Sequence, residues 1–255
     1  MKIQIKTDPE IKIIKEGGKR LEFVKESLRE KIAPGVSAFE IDKLAFELIK
    51  KQNASPSFMM VPNYSWTTCI NINDGIVHGI PHKHLVFKNN DIVSVDVGLF
   101  YKGFHTDTSF SILLGEDDFR KKFLEVGQDA LSLAIKNARV GNYVFDISFA
   151  IESTLVKSNL TPIEDLVGHG IGRKLHEDPQ IPCFTRGQIR NKTPQILPGM
   201  VFAIEVMYKE YGSAQVKLAK DGWTITTSDG KISGLFEETV IVEKSGPFVA
   251  TARRK

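Results

Sequence analysis

Apolar positions recur at helical spacing early in the chain. Ile13, Leu21, Val24 and Leu28 fall on one face of a helix. Pro9 suits a first turn, where its missing N–H costs nothing. The pattern predicts a helix over 9–32, stopped by Pro34 and Gly35. Ser37 followed by Glu40 has the form of a capping box and predicts a second helix through "AFEIDKLAFELIKKQ". A loop dotted with Pro and Asn follows, "ASPSFMMVPNYSW", then short strands near 68–71 and 76–77. The stretch "SVDVGLFYKGFHTDTSF" reads as a hairpin with strands on either side of Tyr101-Lys102-Gly103. Amphipathic helices are predicted over 117–139 and 143–158. From 166 onward the chain returns to strands and Gly-rich turns: "LVGHGIG", "MVFAIEVMY", "KDGWTITTSDGK", "GLFEETVIVEK". No polar linker and no short repeat interrupts it. Helices followed by strands, twice over, predict two similar α+β halves around one sheet, in a single domain over 1–255.

Composition narrows the function classes. The chain has 255 residues, 42% hydrophobic and 25% charged, as in a soluble globular protein. No window approaches ~18 uninterrupted apolar residues, so no membrane helix is expected. The opening "MKIQIKTDPEIKII" has charges throughout and no apolar core, which argues against a signal peptide. Two cysteines, Cys69 and Cys183, are too few for a disulfide scaffold or a cysteine zinc site, so a reducing cytoplasm is expected. The net charge of +3 permits a transient contact with an acidic surface such as a ribosome but does not argue for DNA or other nucleic acid. The RRK tail, 253–255, reads as a solvated end. No large apolar face is left over, so a monomer is expected.

The chemistry lies in acids set where strands should bury apolar side chains. Asp96 stands between Val95 and Val97. A lone carboxylate there costs several kcal/mol unless something positive sits beside it. With an even-length hairpin loop Asp96 and Asp107 share a face; an odd loop or a bulge would part them. Two carboxylates that close either raise one another's pKa or bind a cation. Glu205 in "MVFAIEVM" and Glu237 in "GLFEETVIV" repeat the pattern, and His169 sits between glycines in "VGHGIG". Any one of these alone reads as an ordinary hydrogen-bonded strand residue. Four acids and a histidine together read as a site. Two divalent cations would neutralise four carboxylates, and oxygen-rich, sulfur-free ligation suits Mn, Fe, Co or Zn. Two such ions ~3.5–4 Å apart acidify a water for attack on a carbonyl.

The motifs "NDGIVHGIP", "VSVDVGLFYKGFHTDTSF", "GHGIGRKLHEDP", "LPGMVFAIEVM" and "DGWTITTSDGKISGLFEET" occur in this order. Through them the chain resembles the type I methionine aminopeptidases over nearly its whole length. The resemblance implies the pita-bread fold: two pseudo-symmetric α+β halves, a central curved antiparallel sheet, and helices outside. It implies removal of the N-terminal methionine from nascent chains and small peptides, with a small second residue preferred. It implies two divalent ions held by Asp96, Asp107, His169, Glu205 and Glu237, with Asp107 and Glu237 bridging, Asp96 serving one ion, and His169 and Glu205 the other. Glu205 would double as general base, His78 would lie near the scissile amide nitrogen, and His176 would polarise the carbonyl. The substrate's free α-amine would bind a metal. Cys69, Tyr64 and Trp223 match methionine-pocket positions, with Leu175 and Phe58 beside them. Asn73 and Ser233 match a monovalent-cation site. His82, His84 and His105 are assigned to the surface or to positions behind the ligands.

The sequence departs from the family at four places. Glu238 follows Glu237 where histidine is usual; on a strand it should point away from the metals. Val206 stands where proline is usual, Leu175 where an aromatic is, and Val61 where a tyrosine is. These bear on pocket shape and rate more than on reaction type. A proline-specific peptidase of the same fold usually carries an extra N-terminal domain, for which Asp96 comes too early. A type II methionine aminopeptidase would carry a long insert between Glu205 and Glu237, which is lacking. A binding module that lost the chemistry would have shed ligands.

Overall fold

Local chemistry places the first two helices as expected in a computed structural model that describes residues 3–252; the RRK tail lies outside the described residues. Helix α1 runs Asp8–Arg29. It starts one residue before Pro9 because Thr7 and Glu10 form a capping box, with the Thr7 N–H donating to Glu10 Oε2 at 2.7 Å. Helix α2 runs Ala38–Lys51, and the Ser37–Glu40 box is present. The expected loop after it holds a short strand, β1 (Ser55–Pro56), and a 3-10 turn over Phe58–Met60.

Strands β2 (Thr68–Ile72) and β3 (Gly75–Val77) lead to the hairpin β4 (Ile92–Tyr101) and β5 (Phe104–Leu113). Only Lys102 and Gly103 separate the two, both at positive φ, 47° and 91°. That is the two-residue turn whose twist matches the flanking strands. Asp107 therefore pairs with Gly98, and Asp96 with Ser109. The even loop holds, and both acids share one face.

Helices α3 (Asp118–Asn137) and α4 (Val144–Lys157) follow. Then come β6 (Leu160–Pro162), β7 (Val167–Gly170), β8 (Glu177–Pro182), β9 (Val201–Glu210), β10 (Val216–Leu218), β11 (Ile225–Thr227), β12 (Ser233–Glu243) and β13 (Gly246–Val249). The main sheet is ordered β1-β4-β5-β12-β9-β7-β8, with β2 beside β4, β13 beside β12 and β6 beside β9. Strands β10, β11 and β3 form a separate small sheet that the sequence did not suggest. The β5–β12 and β12–β9 ladders join the two halves at the middle of the main sheet, antiparallel throughout.

The pleat sorts side chains to two faces. Val95 and Val97 pack with Leu21, Val24 and Ile41 of α1 and α2. Ile204 and Val206 pack with Phe123, Ala130 and Ile151 of α3 and α4. Fully burying each such side chain is worth about 1.5–3 kcal/mol, so the helices fix both strand pairs in register. Val206, at the usual proline position, points into this core and away from the opposite face. Asp96, Asp107, Glu205 and Glu237 alternate with these residues and turn to that opposite face.

Candidate metal centre

Strands from both halves deliver the five predicted ligands. Glu237 pairs with Glu205 across β12 and β9, and with Ser109, itself the partner of Asp96, across β12 and β5. His169 pairs with Ala203 on β9. Its flanking glycines serve close backbone approach: a Cβ on Gly168 would sit 2.7 Å from the Ala203 carbonyl oxygen, and one on Gly170 2.2 Å from that of Asp178. His169 Nδ1 lies 2.8 Å from the Gly170 carbonyl oxygen. A carbonyl only accepts, so Nδ1 carries the proton and Nε2 presents a lone pair. That Nε2 lies 3.5 Å from Glu205 Oε1. One ligand atom each from Asp107, His169 and Glu237 falls within 4.8 Å of the others.

The electrostatics fit a cation site. Burial, against the lowering effect of a hydrogen bond with Asp107, pushes the Asp96 carboxyl up to about 7. Burial first, and then repulsion from Asp96 and Glu205, raises Asp107 well above the usual range. Glu205 is raised by burial and then by Asp96; Glu237 by burial, then by Asp107, Glu205 and Asp96. Burial, followed by the neighbouring His176, takes His169 down to about 3. A cluster that strains against its own charge is stabilised by positive ions. Two carboxylate oxygens mark where they would go. Asp96 Oδ1 and Glu237 Oε1 are buried and have no hydrogen-bond partner, and buried oxygens are rarely left so. The donor set, four carboxylates and one imidazole, suits Mn, Fe, Co or Zn.

The acids line a cavity of about 840 Å³. His78 and His176 line it too, as do Phe58, Tyr64, Cys69, Leu175 and Trp223, so every pocket residue expected from the sequence is there. His78 follows β3 with φ +57°, an uncommon backbone state for a non-glycine residue. The surrounding protein, and then His176, lowers the His78 pKa; the surroundings alone lower that of His176. The His176 ring meets that of His169 edge-on at 4.5 Å. On the apolar side the Tyr64 hydroxyl donates to the Thr68 carbonyl at 2.9 Å and lies 3.2 Å from Cys69 Sγ. The Tyr64 and Trp223 rings meet edge-on at 5.0 Å. Burial raises the Cys69 thiol, which stays protonated.

Val61, at the usual tyrosine position, also lines the cavity. Sequence reasoning missed Val77, Leu166 and Met207 in the wall. Met207 follows Glu205 by two on β9 and shares its face, so alternation alone could have named it. His105 is buried, with Nδ1 2.9 Å from Ser57 Oγ, and burial pushes it down to about 4. His82 and His84 stack on each other at 4.9 Å, and neither lines the cavity. Asn73 and Ser233 meet elsewhere: Ser233 Oγ is 3.1 Å from the Asn73 carbonyl oxygen and 2.7 Å from that of Gly75.

The sequence model of metallopeptidase family M24 matches residues 12–244. The chain is 37% identical over 250 residues to the methionine aminopeptidase of Clostridium perfringens, covering 98% of each. It is 38% identical over 247 residues to methionine aminopeptidase 1 of Bacillus subtilis, covering 96% of this chain and 98% of that one. The crystal structure of methionine aminopeptidase from Thermotoga maritima superposes with a TM-score of 0.95 at 37% identity, over 99% of this chain and 100% of that one. An Xaa-Pro dipeptidase from Bacillus anthracis shares the fold at a TM-score of 0.74 and 24% identity, over 98% of this chain but only 62% of that one.

Proposed function

The chain belongs to metallopeptidase family M24, and from that premise we propose that it is a dinuclear-metal methionine aminopeptidase. It removes the N-terminal methionine from nascent proteins and peptides whose second residue is small. The observation that carries this reading is the gathering of Asp107, His169 and Glu237 ligand atoms in one buried cluster, beside carboxylate oxygens that lack partners.

Asp96, Asp107, His169, Glu205 and Glu237 would hold two divalent ions. Such a pair supplies Lewis acidity, acidifying the attacking water and polarising the scissile carbonyl. Glu205 would take the proton of the attacking water as general base. His176 donates a hydrogen bond to the carbonyl oxygen as negative charge develops there. Its lowered pKa keeps it a neutral donor near neutral pH. His78, at the cavity wall, lies beside the leaving amide nitrogen. Tyr64, Cys69, Trp223, Phe58 and Leu175 make the apolar, polarizable slot for the methionine side chain. The free, unprotonated α-amine of the substrate would add a donor to the ions, which restricts cleavage to the first residue. The Asn73 carbonyl and Ser233 hydroxyl form a monovalent-cation site apart from the cavity.

No described helix is long and apolar enough to cross a membrane. We place the protein in the cytoplasm as a monomer that meets nascent chains near the ribosome. The test is hydrolysis of Met-Gly-, Met-Ala- and Xaa-Pro-type peptides by purified protein supplied with Mn, Fe or Co. Methionine release from the first two supports the reading. No release with any divalent metal, or cleavage of the Xaa-Pro peptides alone, overturns it.

A further inference from the structure

Behind the acid cluster, on the helix-covered face of the sheet, lies a second charge cluster that hydrolysis does not use. Glu238 follows Glu237 on β12 and points the other way. Its Oε1 lies 2.6 Å from Nζ of Lys25 on α1, with the two side chains 16% and 4% exposed. Its Oε2 accepts from the Thr251 hydroxyl and lies 3.3 Å from Thr108 Oγ1. Lys25 Nζ also donates to Thr108 Oγ1 at 3.1 Å. Arg29, one turn further along α1, is a second cation close enough for Glu238 to act on it.

Thr108 joins this cluster to the two acids proposed to bridge the metals. Its backbone N–H donates to Asp107 Oδ1 at 3.0 Å, and its hydroxyl to the Glu237 carbonyl oxygen at 2.9 Å. The strand register puts Glu238 opposite Thr108. Lys25, Thr108 and half-buried Glu238 thus form one unit in contact with both Asp107 and Glu237.

We propose that Lys25 and Glu238 form a charge-compensating pair that sets the cation affinity of the metal centre and fixes its two bridging acids. The inference rests on the metal-centre reading above. Glu238 is a fifth carboxylate, one residue from Glu237. Lys25 cancels it locally, so ions in the cavity meet the field of four carboxylates rather than five. Lys25 left without Glu238 would instead add positive charge behind the ions. In a partly buried setting, one unit charge near a divalent ion changes its affinity on the order of tenfold or more.

The test measures Mn²⁺ binding by calorimetry, with no substrate present, for the wild type, Glu238→Gln, and the double variant Lys25→Met/Glu238→Gln. Glu238→Gln should weaken binding at least tenfold, because Lys25 is then uncompensated. The double variant, which has lost both charges, should return to within about threefold of the wild type. A merely structural role predicts the opposite order, with the double variant binding no better than the single one. That order, or an unchanged affinity in Glu238→Gln, overturns the proposal. A Glu238→Gln chain that fails to fold leaves the double variant to decide, since an affinity tenfold below wild type there also overturns it. A wild type that binds no Mn²⁺ would strike the metal-centre reading itself.

Discussion

Stripping divalent cations with a chelator leaves Asp96, Asp107, Glu205 and Glu237 as buried acids with no positive partner, and the pH dependence of stability then reports on them. All four have folded pKa values raised by burial, with mutual repulsion adding in Asp107, Glu205 and Glu237. A carboxyl so raised holds its proton more tightly folded than unfolded. Its stabilising contribution is present below the unfolded pKa and is lost as pH rises through the folded one. The histidines run the other way. His169 at about 3 and His105 at about 4 contribute stability that is present above the unfolded value of 6.5 and lost on acidification. Lowered His78 and His176 have the same sign. Above about pH 7 the unfolded histidines are mostly neutral and each adds only ~0.1 kcal/mol, so the window from there to about pH 8 reports chiefly on the carboxyls. Asp96, pushed up to about 7, titrates at the foot of this window and loses well under ~1 kcal/mol across it, at ~1.36 kcal/mol per pH unit for each proton retained. Each of the other three loses up to ~1.4 kcal/mol if it keeps its proton throughout. Urea unfolding of the chelated protein should show stability falling by ~1 kcal/mol or more between those pH values. Saturating Mn²⁺ should abolish the fall, because the ion favours the ionised acids. Chelated protein whose stability is flat or rises across the window would refute the reasoning.

Three further outcomes follow from named contacts. Asp107→Asn should lose both ions by elemental analysis, since a bridging ligand serves two; retention of both would contradict the bridge. His176→Ala should lower kcat by ~10²–10³, as for loss of one donor to a developing oxyanion, with metal content unchanged; loss of metal instead would mean its role is misassigned. Lys6→Met removes the buried partner of Glu177, 2.5 Å away and next to His176. Breaking such a pair costs ~3–5 kcal/mol, so the melting temperature and kcat should fall together while metal content holds; an unchanged kcat would show that the pair does not position the His176 segment.

Local rules carried most of the fold and the heart of the site. Capping at Ser37, the apolar period of the helices and the two-residue turn at Lys102 and Gly103 act within a few residues, so they can be read from sequence. The turn alone sets Asp96 and Asp107 on one face. The gathering of His169, Glu205 and Glu237 with them depends on ladders between distant strands; no spacing encodes that, and the resemblance supplied it. What stayed hidden was long-range. Lys25 reads as one more charge on an amphipathic helix until β12 brings Glu238 to it. Lys6 reads as part of a charged opening until it meets Glu177. The small sheet of β10, β11 and β3 joins segments far apart in the chain, too short for periodicity to mark. His105, left between surface and interior by sequence, is buried because β5 carries it against Ser57.

The most direct measurement is a crystal structure of Mn²⁺-soaked protein with anomalous data collected at the metal edge. Two peaks are expected ~3.5–4 Å apart, with Asp107 and Glu237 touching both, Asp96 touching one, and His169 and Glu205 the other. A single peak, or peaks away from these five side chains, would contradict the account.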